Sequence, residues 1–359
     1  MQKKILWLCL PILLILIYRV SAPVKKNFNT SVASLMPSPT HTPPHALQQS
    51  IFVPYWAPSI KTGASQYSTY YYFGIQPTKE GHIADDLGLQ NISLVNAVAE
   101  KQKKLVIRML DASVTEAILQ DKTAQQTFST ELKRIVTQYA FSGIVFDIEV
   151  PFTLQANKKE QITQFVQLMC TAIKSNYKTC GVLIYGDFSY RNRPYDLEKL
   201  GKAGDTILLM AYDFHKAAGE PGPNFPLDRR NAKSEGGSDY EYDFKEMVKD
   251  VSELVPKDKI EVVFGMYGYD WTLNEQGTPL RIAKALSVRE IQSFILDHKA
   301  QITKQSQLAQ SKEKNIEYTD DEGKKHIIWY EDEESVAVKT TYLLEEGIWQ
   351  VSFWASSYF

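Results

Sequence analysis

Asp147 and Glu149 stand two residues apart at the end of an apolar run, Phe141-Ser142-Gly143-Ile144-Val145-Phe146-Asp147-Ile148-Glu149. Side chains alternate along a strand, so Gly143, Val145, Asp147 and Glu149 share one face while Ile144, Phe146 and Ile148 share the other. The apolar face can pack under helices, and the acidic pair then points into whatever the sheet encloses. Burying adjacent carboxylates costs several kcal/mol unless they are hydrogen-bonded or share a proton. A carboxyl that keeps its proton can act as a general acid, with its neighbour as electrostatic partner. The plainer alternative is two solvated carboxylates at a strand end, paired with a surface lysine. What the other strands bring to the same place decides between them.

Short β-rich segments alternate with longer amphipathic ones along the chain. The strand candidates are Ser50 to Trp56, Ser68 to Ile75, Lys104 to Leu110, Gly143 to Glu149, Gly181 to Tyr185, Thr206 to Tyr212, Ile260 to Tyr267 and Ile348 to Trp354. Helical patterns run over Ile92 to Lys103, Thr123 to Tyr139, Lys159 to Ser175 and Tyr242 to Leu254. This alternation predicts an α/β fold, a (β/α)8 TIM barrel, with a doubly wound open sheet as the other possibility. The seventh connection is too long for one helix. It holds a helical stretch (Ser287 to Lys304), a polar segment and two β-prone runs around Asp320-Asp321-Glu322-Gly323, which read as a hairpin. A small α+β insertion between strands seven and eight is therefore expected over about 272–330, followed by a helix from Glu334 to Leu344.

In such barrels chemistry gathers at the carboxyl ends of the strands. Those ends offer Asp147 and Glu149, then Met210-Ala211-Tyr212-Asp213, then Met266-Tyr267-Gly268-Tyr269-Asp270-Trp271, and Trp354. Carboxylates, phenols and indoles on one rim suit carbohydrate, whose hydroxyls take directed hydrogen bonds while its faces stack on rings. The fourth-strand segment resembles the D-G-x-x-x-D-x-E signature of glycoside hydrolase family 18, the chitinase-like barrels. Met210 to Asp213 is similar to that family's M-x-Y-D. Phe264 to Trp271 and Trp329-Tyr330-Glu331-Asp332-Glu333-Glu334-Ser335 look like segments of its spore-cortex and peptidoglycan N-acetylglucosaminidase branch.

The resemblance implies a glycosidase acting at N-acetylglucosamine. Glu149 would be the general acid and then base, Asp147 would orient the substrate's acetamido group, and Tyr212 would donate to its oxygen. Trp354 would floor the sugar at the cleaved bond, Tyr267, Asp213 and Asp270 would hold sugar hydroxyls or neighbouring side chains, and Met210 is a further candidate substrate contact. Trp56 is a candidate for stacking on substrate, with packing an equal alternative. Some positions depart from the family pattern. Ser142 and Val145 stand where acidic or amide groups are usual, and Leu105 to Ser113 lacks S-x-G-G. A carbohydrate-binding barrel with impaired catalysis is the competing class, and Val145 is its best support.

The 359 residues carry a net charge of −2 with 44% hydrophobic and 12% aromatic content. A sizeable core is possible, and no Lys/Arg-rich block calls for a nucleic-acid partner. Lys3 and Lys4 precede an apolar run from Ile5 to Tyr18, so residues 1–22 read as a signal peptide or membrane anchor. Residues 23–49 read as a Pro/Ser/Thr-rich linker and 50–359 as the barrel. An extracytoplasmic, secreted or anchored monomer is expected, its partner a glycan such as peptidoglycan or chitin oligomers. Cys170 and Cys180 either pair or remain two buried thiols. The six histidines are scattered, so no metal or other cofactor is expected.

Overall fold

Alternation of apolar residues builds both surfaces of the barrel wall. In Gly143–Asp147, Ile144 and Phe146 pack outward with the helices, while Val145 joins an inner apolar layer with Val106, Leu183, Leu208 and Val263. The computed structural model describes residues 46–56, 66–98, 101–149, 157–229 and 240–358. Residues 1–45, where a signal peptide or anchor and most of a linker are expected, lie outside the described residues. Among those described, the strands are β1 (Gln48–Pro54), β2 (Thr69–Ile75), β3 (Gln102–Arg108), β4 (Gly143–Asp147), β5 (Thr179–Tyr185), β6 (Thr206–Ala211) and β7 (Ile260–Gly265). They continue with β8 (Tyr267–Leu273), β9 (Lys284–Ser287), β10 (Ile302–Gln307), β11 (Lys314–Thr319), β12 (Lys325–Tyr330) and β13 (Gln350–Trp354).

Strands β1 to β7 and β13 close into an eight-stranded parallel barrel, β1 pairing with both β2 and β13. The expected (β/α)8 architecture is therefore present, and the open-sheet alternative is not. Outer helices bury one stripe each: Lys122–Gln138 turns Phe128, Leu132, Ile135 and Val136 inward, and the Asp121 carboxylate caps it by accepting from Thr123 and Ala124 N–H. One expected helix is shorter than its pattern. Only a 3-10 segment, Ile92–Val98, forms there, because Gln102 to Lys104 pair with Thr69 to Tyr71 and are drawn into β3.

The seventh barrel strand ends at Gly265 rather than running to Tyr267. The chain leaves the ring at Met266, and β8 enters a five-stranded antiparallel sheet of order β10-β11-β12-β8-β9. Its β11–β12 hairpin turns at Asp320 to Gly323, with Gly323 at φ 79°. Helix Val288–Asp297 packs on one sheet face, started by a capping box of Ser287 and Glu290. Among the described residues no helix is long and apolar enough to cross a membrane.

Cys170, on helix Lys158–Lys174, and Cys180, on β5, form a disulfide with Cα atoms 5.3 Å apart. This settles the pairing the sequence leaves open. It closes a loop with a sequence separation of 10, so removing it relaxes the unfolded chain. We expect Cys170→Ala/Cys180→Ala to lose about 2–3 kcal/mol of unfolding free energy in urea.

Candidate active site

Asp147 ends β4 on the inward face, above Val145, and is fully buried. No N–H or O–H donor among the described residues reaches either of its oxygens. Its polar neighbour is the Glu149 carboxyl, and two carboxyls can bond only if one holds a proton. Val145 explains the lack of a donor from below. Burial first, and the Glu149 charge second, push the Asp147 carboxyl well above its ordinary range, with Arg108 pulling the other way. Burial also raises Glu149. The two titrate as a unit that retains a proton, and desolvation outranks like charge as the reason.

The elements that hold this pair are local. Tyr195 donates from its hydroxyl to Ile148 O at 2.9 Å, pinning the residue between the two acids. Met109 N–H donates to Asp147 O at 2.7 Å. Arg108, paired in register with Asp147, is held by Asp86 at 2.8 Å and Gly74 O at 2.9 Å. The Tyr185 hydroxyl, at the end of β5, donates toward the Glu149 carboxylate and works against its raised proton affinity. The sequence reading missed Tyr185: it is a strand-end phenol of the expected type, but no motif surrounds it.

Tyr212 follows β6 and faces the same pair, with Glu149 and Asp147 among the charges that, after burial, keep its phenol protonated. Gly265 makes room for it: a Cβ there would lie 2.6 Å from a Tyr267 ring carbon and 2.8 Å from Tyr212 Cβ. Asp213 adopts φ 58°, a left-handed conformation that aspartate tolerates better than most residues. Its N–H donates to Asn224 Oδ1 at 2.7 Å. Its carboxylate accepts from the Tyr267 and Tyr269 hydroxyls, the latter at 2.7 Å. Met210 is buried in the inner layer below Tyr212. Trp354 packs edge-on against Phe73 at 4.8 Å, Phe52 at 5.7 Å and Trp56 at 6.0 Å, and Trp56 is 47% exposed at the rim.

Asp270 does not join this group. Along β8, Tyr267 and Tyr269 reach Asp213, so Asp270 falls on the opposite face of the insertion sheet. There it accepts from the Tyr318 hydroxyl at 2.8 Å and lies 2.9 Å from His326 Nδ1. The structure places Asp270 on neighbouring side chains and away from Asp213, because alternation along β8 turns it to the other face.

A buried polar network ties the site to the insertion. Lys339 donates to Phe225 O at 2.6 Å and Glu313 Oε1 at 2.8 Å, and also to Glu331. Glu313 accepts the N–H groups of Asn224 and Phe225, and Ser335 donates to Glu331. Lys339, Glu313 and Glu331 are all fully buried.

The chain belongs to the glycosyl hydrolases family 18, whose sequence pattern matches residues 51–358. The cortical fragment-lytic enzyme of Bacillus anthracis is 24% identical over 293 residues, covering 79% of this chain and 63% of that relative. The chain thus spans less than two thirds of that relative's length. The uncharacterized glycosylase YvbX of Bacillus subtilis is 25% identical over 68% of this chain and 66% of its own. Among solved structures, the Bacillus cereus spore cortex-lytic enzyme SleL shares the fold at TM-score 0.71 and 20% identity, covering 89% of this chain and 73% of that one. A chitinase from Chromobacterium violaceum does so at TM-score 0.70 and 20% identity, covering 87% and 95%.

One ammonium cannot neutralise two buried carboxylates, and burial pushes Glu331 up to about 8 against the pull of Lys339. Its folded-state proton affinity exceeds the unfolded one, so its contribution to stability is full below 4.5 and is lost as pH rises to about 8. Relative to Glu331→Gln, the wild type should lose unfolding free energy across that window in urea titrations at several pH values.

Proposed function

We propose that the chain is an extracytoplasmic glycosidase cleaving β-1,4 bonds at N-acetylglucosamine in peptidoglycan or chitin-like glycan, with retention of configuration. The observation that carries this reading is a fully buried, otherwise unpartnered Asp147 carboxyl beside Glu149 at the mouth of the barrel, with Tyr185, Tyr212 and Trp354 around the same inner layer. Glu149 gives its proton to the leaving glycosidic oxygen as the substrate's acetamido carbonyl oxygen attacks the anomeric carbon. The bond to the leaving sugar breaks, an oxazolinium ring forms, and the Glu149 carboxylate then takes a proton from the water that opens it. Asp147 holds the acetamido N–H and balances the ring's positive charge, and Tyr212 donates to the acetamido oxygen. Trp354 floors the sugar. The extracytoplasmic placement rests on the apolar leader and is supported by the Cys170–Cys180 disulfide, a bond favoured in oxidising compartments. The peptidoglycan leaning draws on the relatives named as cortical fragment-lytic enzymes.

A second reading, a carbohydrate-binding barrel with impaired turnover, is favoured by one observation. Val145 leaves Asp147 without an inner partner. The two readings separate on product formation from N-acetylglucosamine oligomers and purified peptidoglycan, followed by mass spectrometry.

Glu149→Gln should lower kcat at least about a hundredfold, the lower end of general acid–base contributions, while oligomer binding persists. Equal rates for variant and wild type would refute the assignment. Tyr185→Phe removes a donor that favours the ionised acid, so Glu149 holds its proton more tightly. The alkaline limb of kcat/KM should then move to higher pH.

A further inference from the structure

Two cations stand over the ring of Tyr185. The Arg193 guanidinium lies 3.9 Å from the ring centroid and the Lys216 ammonium 5.6 Å. They are held differently. Arg193 bonds Asp187 through Nε at 2.8 Å and Nη2 at 2.7 Å, and Arg191 reaches the same carboxylate at 2.6 Å. Asp187, itself buried, therefore fixes both guanidiniums and offsets one of their charges. Lys216 has a fixed root, and its tip rests over the Tyr185 ring. Its carbonyl accepts Gly219 N–H at 2.8 Å, and neighbouring His215 Nδ1 lies 2.7 Å from Pro223 O. Among the described residues no carboxylate forms an ion pair with its ammonium.

Both cations open on a cavity of about 770 Å³, a size that suits a small ligand or a sugar with its substituents. Tyr190, Phe214 and His215 supply flat walls. Glu220 and Glu241 also line it, and Glu241 accepts the Tyr190 hydroxyl. Two of its lining residues, Arg193 and Lys216, stand over the Tyr185 ring, whose hydroxyl is directed at Glu149.

An ammonium near Glu149 that has no carboxylate ion pair among the described residues is a poor device for catalysis alone. A nearby cation favours the carboxylate form of an acid that must start protonated. A substrate anion seated on Lys216 would cancel that influence and orient the sugar at the same time. We propose that Lys216, backed by Arg193, reads a carboxylate carried on the sugar beside the cleaved bond, so that the preferred substrate is an acid-bearing glycan rather than a neutral one. This rests on the glycosidase reading above and names its substrate class. In peptidoglycan the carboxylate is either the lactyl acid of a muramic sugar that carries no stem peptide or, where a stem is attached, an acid of that peptide.

The test uses the full chain as Glu149→Gln, so that binding is measured without turnover, with and without Lys216→Gln. The ligands are neutral N-acetylglucosamine oligomers, glycan strands stripped of peptide, and the same strands bearing peptide. Lys216→Gln should weaken binding of acid-bearing strands about threefold relative to neutral oligomers, as expected for one partly exposed ion pair. Added salt should erode the same preference, and Lys216→Arg should retain it. A loss confined to peptide-bearing strands assigns the carboxylate to the stem, a loss confined to stripped strands assigns it to the lactyl acid, which is an amide wherever a stem is attached, and a loss on both means that Lys216 accepts either acid. Equal weakening for all three ligands overturns the proposal, since Lys216 would then act only through the protein. Failure of the wild type to cleave any of the three counts instead against the glycosidase reading and leaves the binding ratio to stand or fall separately.

Discussion

The Lys339 ammonium is where the barrel, the insertion and the catalytic mouth are joined. It sits fully buried between Glu313 and Glu331, which arrive from either end of the insertion's central hairpin. Ions this deeply buried are stable only when each finds its partners, so the arrangement is all-or-none. Glu313 passes the constraint on by taking the Asn224 and Phe225 N–H groups. Asn224 then fixes the left-handed Asp213, and Asp213 gathers Tyr267 and Tyr269 at the cleft wall. A charge far from the acid pair thus sets the shape of the cleft.

This network gives the segment Trp329 to Ser335 a different meaning from the one its family resemblance suggests. Glu331 and Ser335 serve the buried lysine, and Asp332 caps helix Glu333–Glu345 while pairing with Lys314 at 2.7 Å. The contacts of these three side chains are structural anchoring. They say how the insertion is fastened, so the leaning toward peptidoglycan must rest on other features.

The order of strands, the acid pair and the extra sheet were legible because each rests on local pattern: alternation in Gly143–Asp147, a turn at Gly323, a capped amphipathic helix. What the sequence hid was long-range. Glu313, Asn224 and Lys339 meet across separations of 89 and 26 residues, and no spacing rule announces such a triad. Asp270 was misplaced for a smaller reason. Its alternation with Tyr269 was visible, but the exit of the chain from the ring at Met266 was not, so the face it occupies was assigned to the wrong sheet. Tyr185 and Lys216 carry no motif, and only the folded barrel brings them to Glu149.

The strand Tyr267–Leu273 spans what a reading of the sequence alone would take as the seam between ring and insertion. Anyone transplanting the extra sheet onto another barrel would cut near residue 272 and leave most of a paired strand behind. The excised piece would keep Glu313 and abandon the loop at Asn224 and the helix carrying Lys339. The recipient would receive a carboxylate with no counter-ion, and the donor ring would keep Lys339 with Glu331 as its one remaining carboxylate of the pair. The heritable unit here is sheet, loop and helix together.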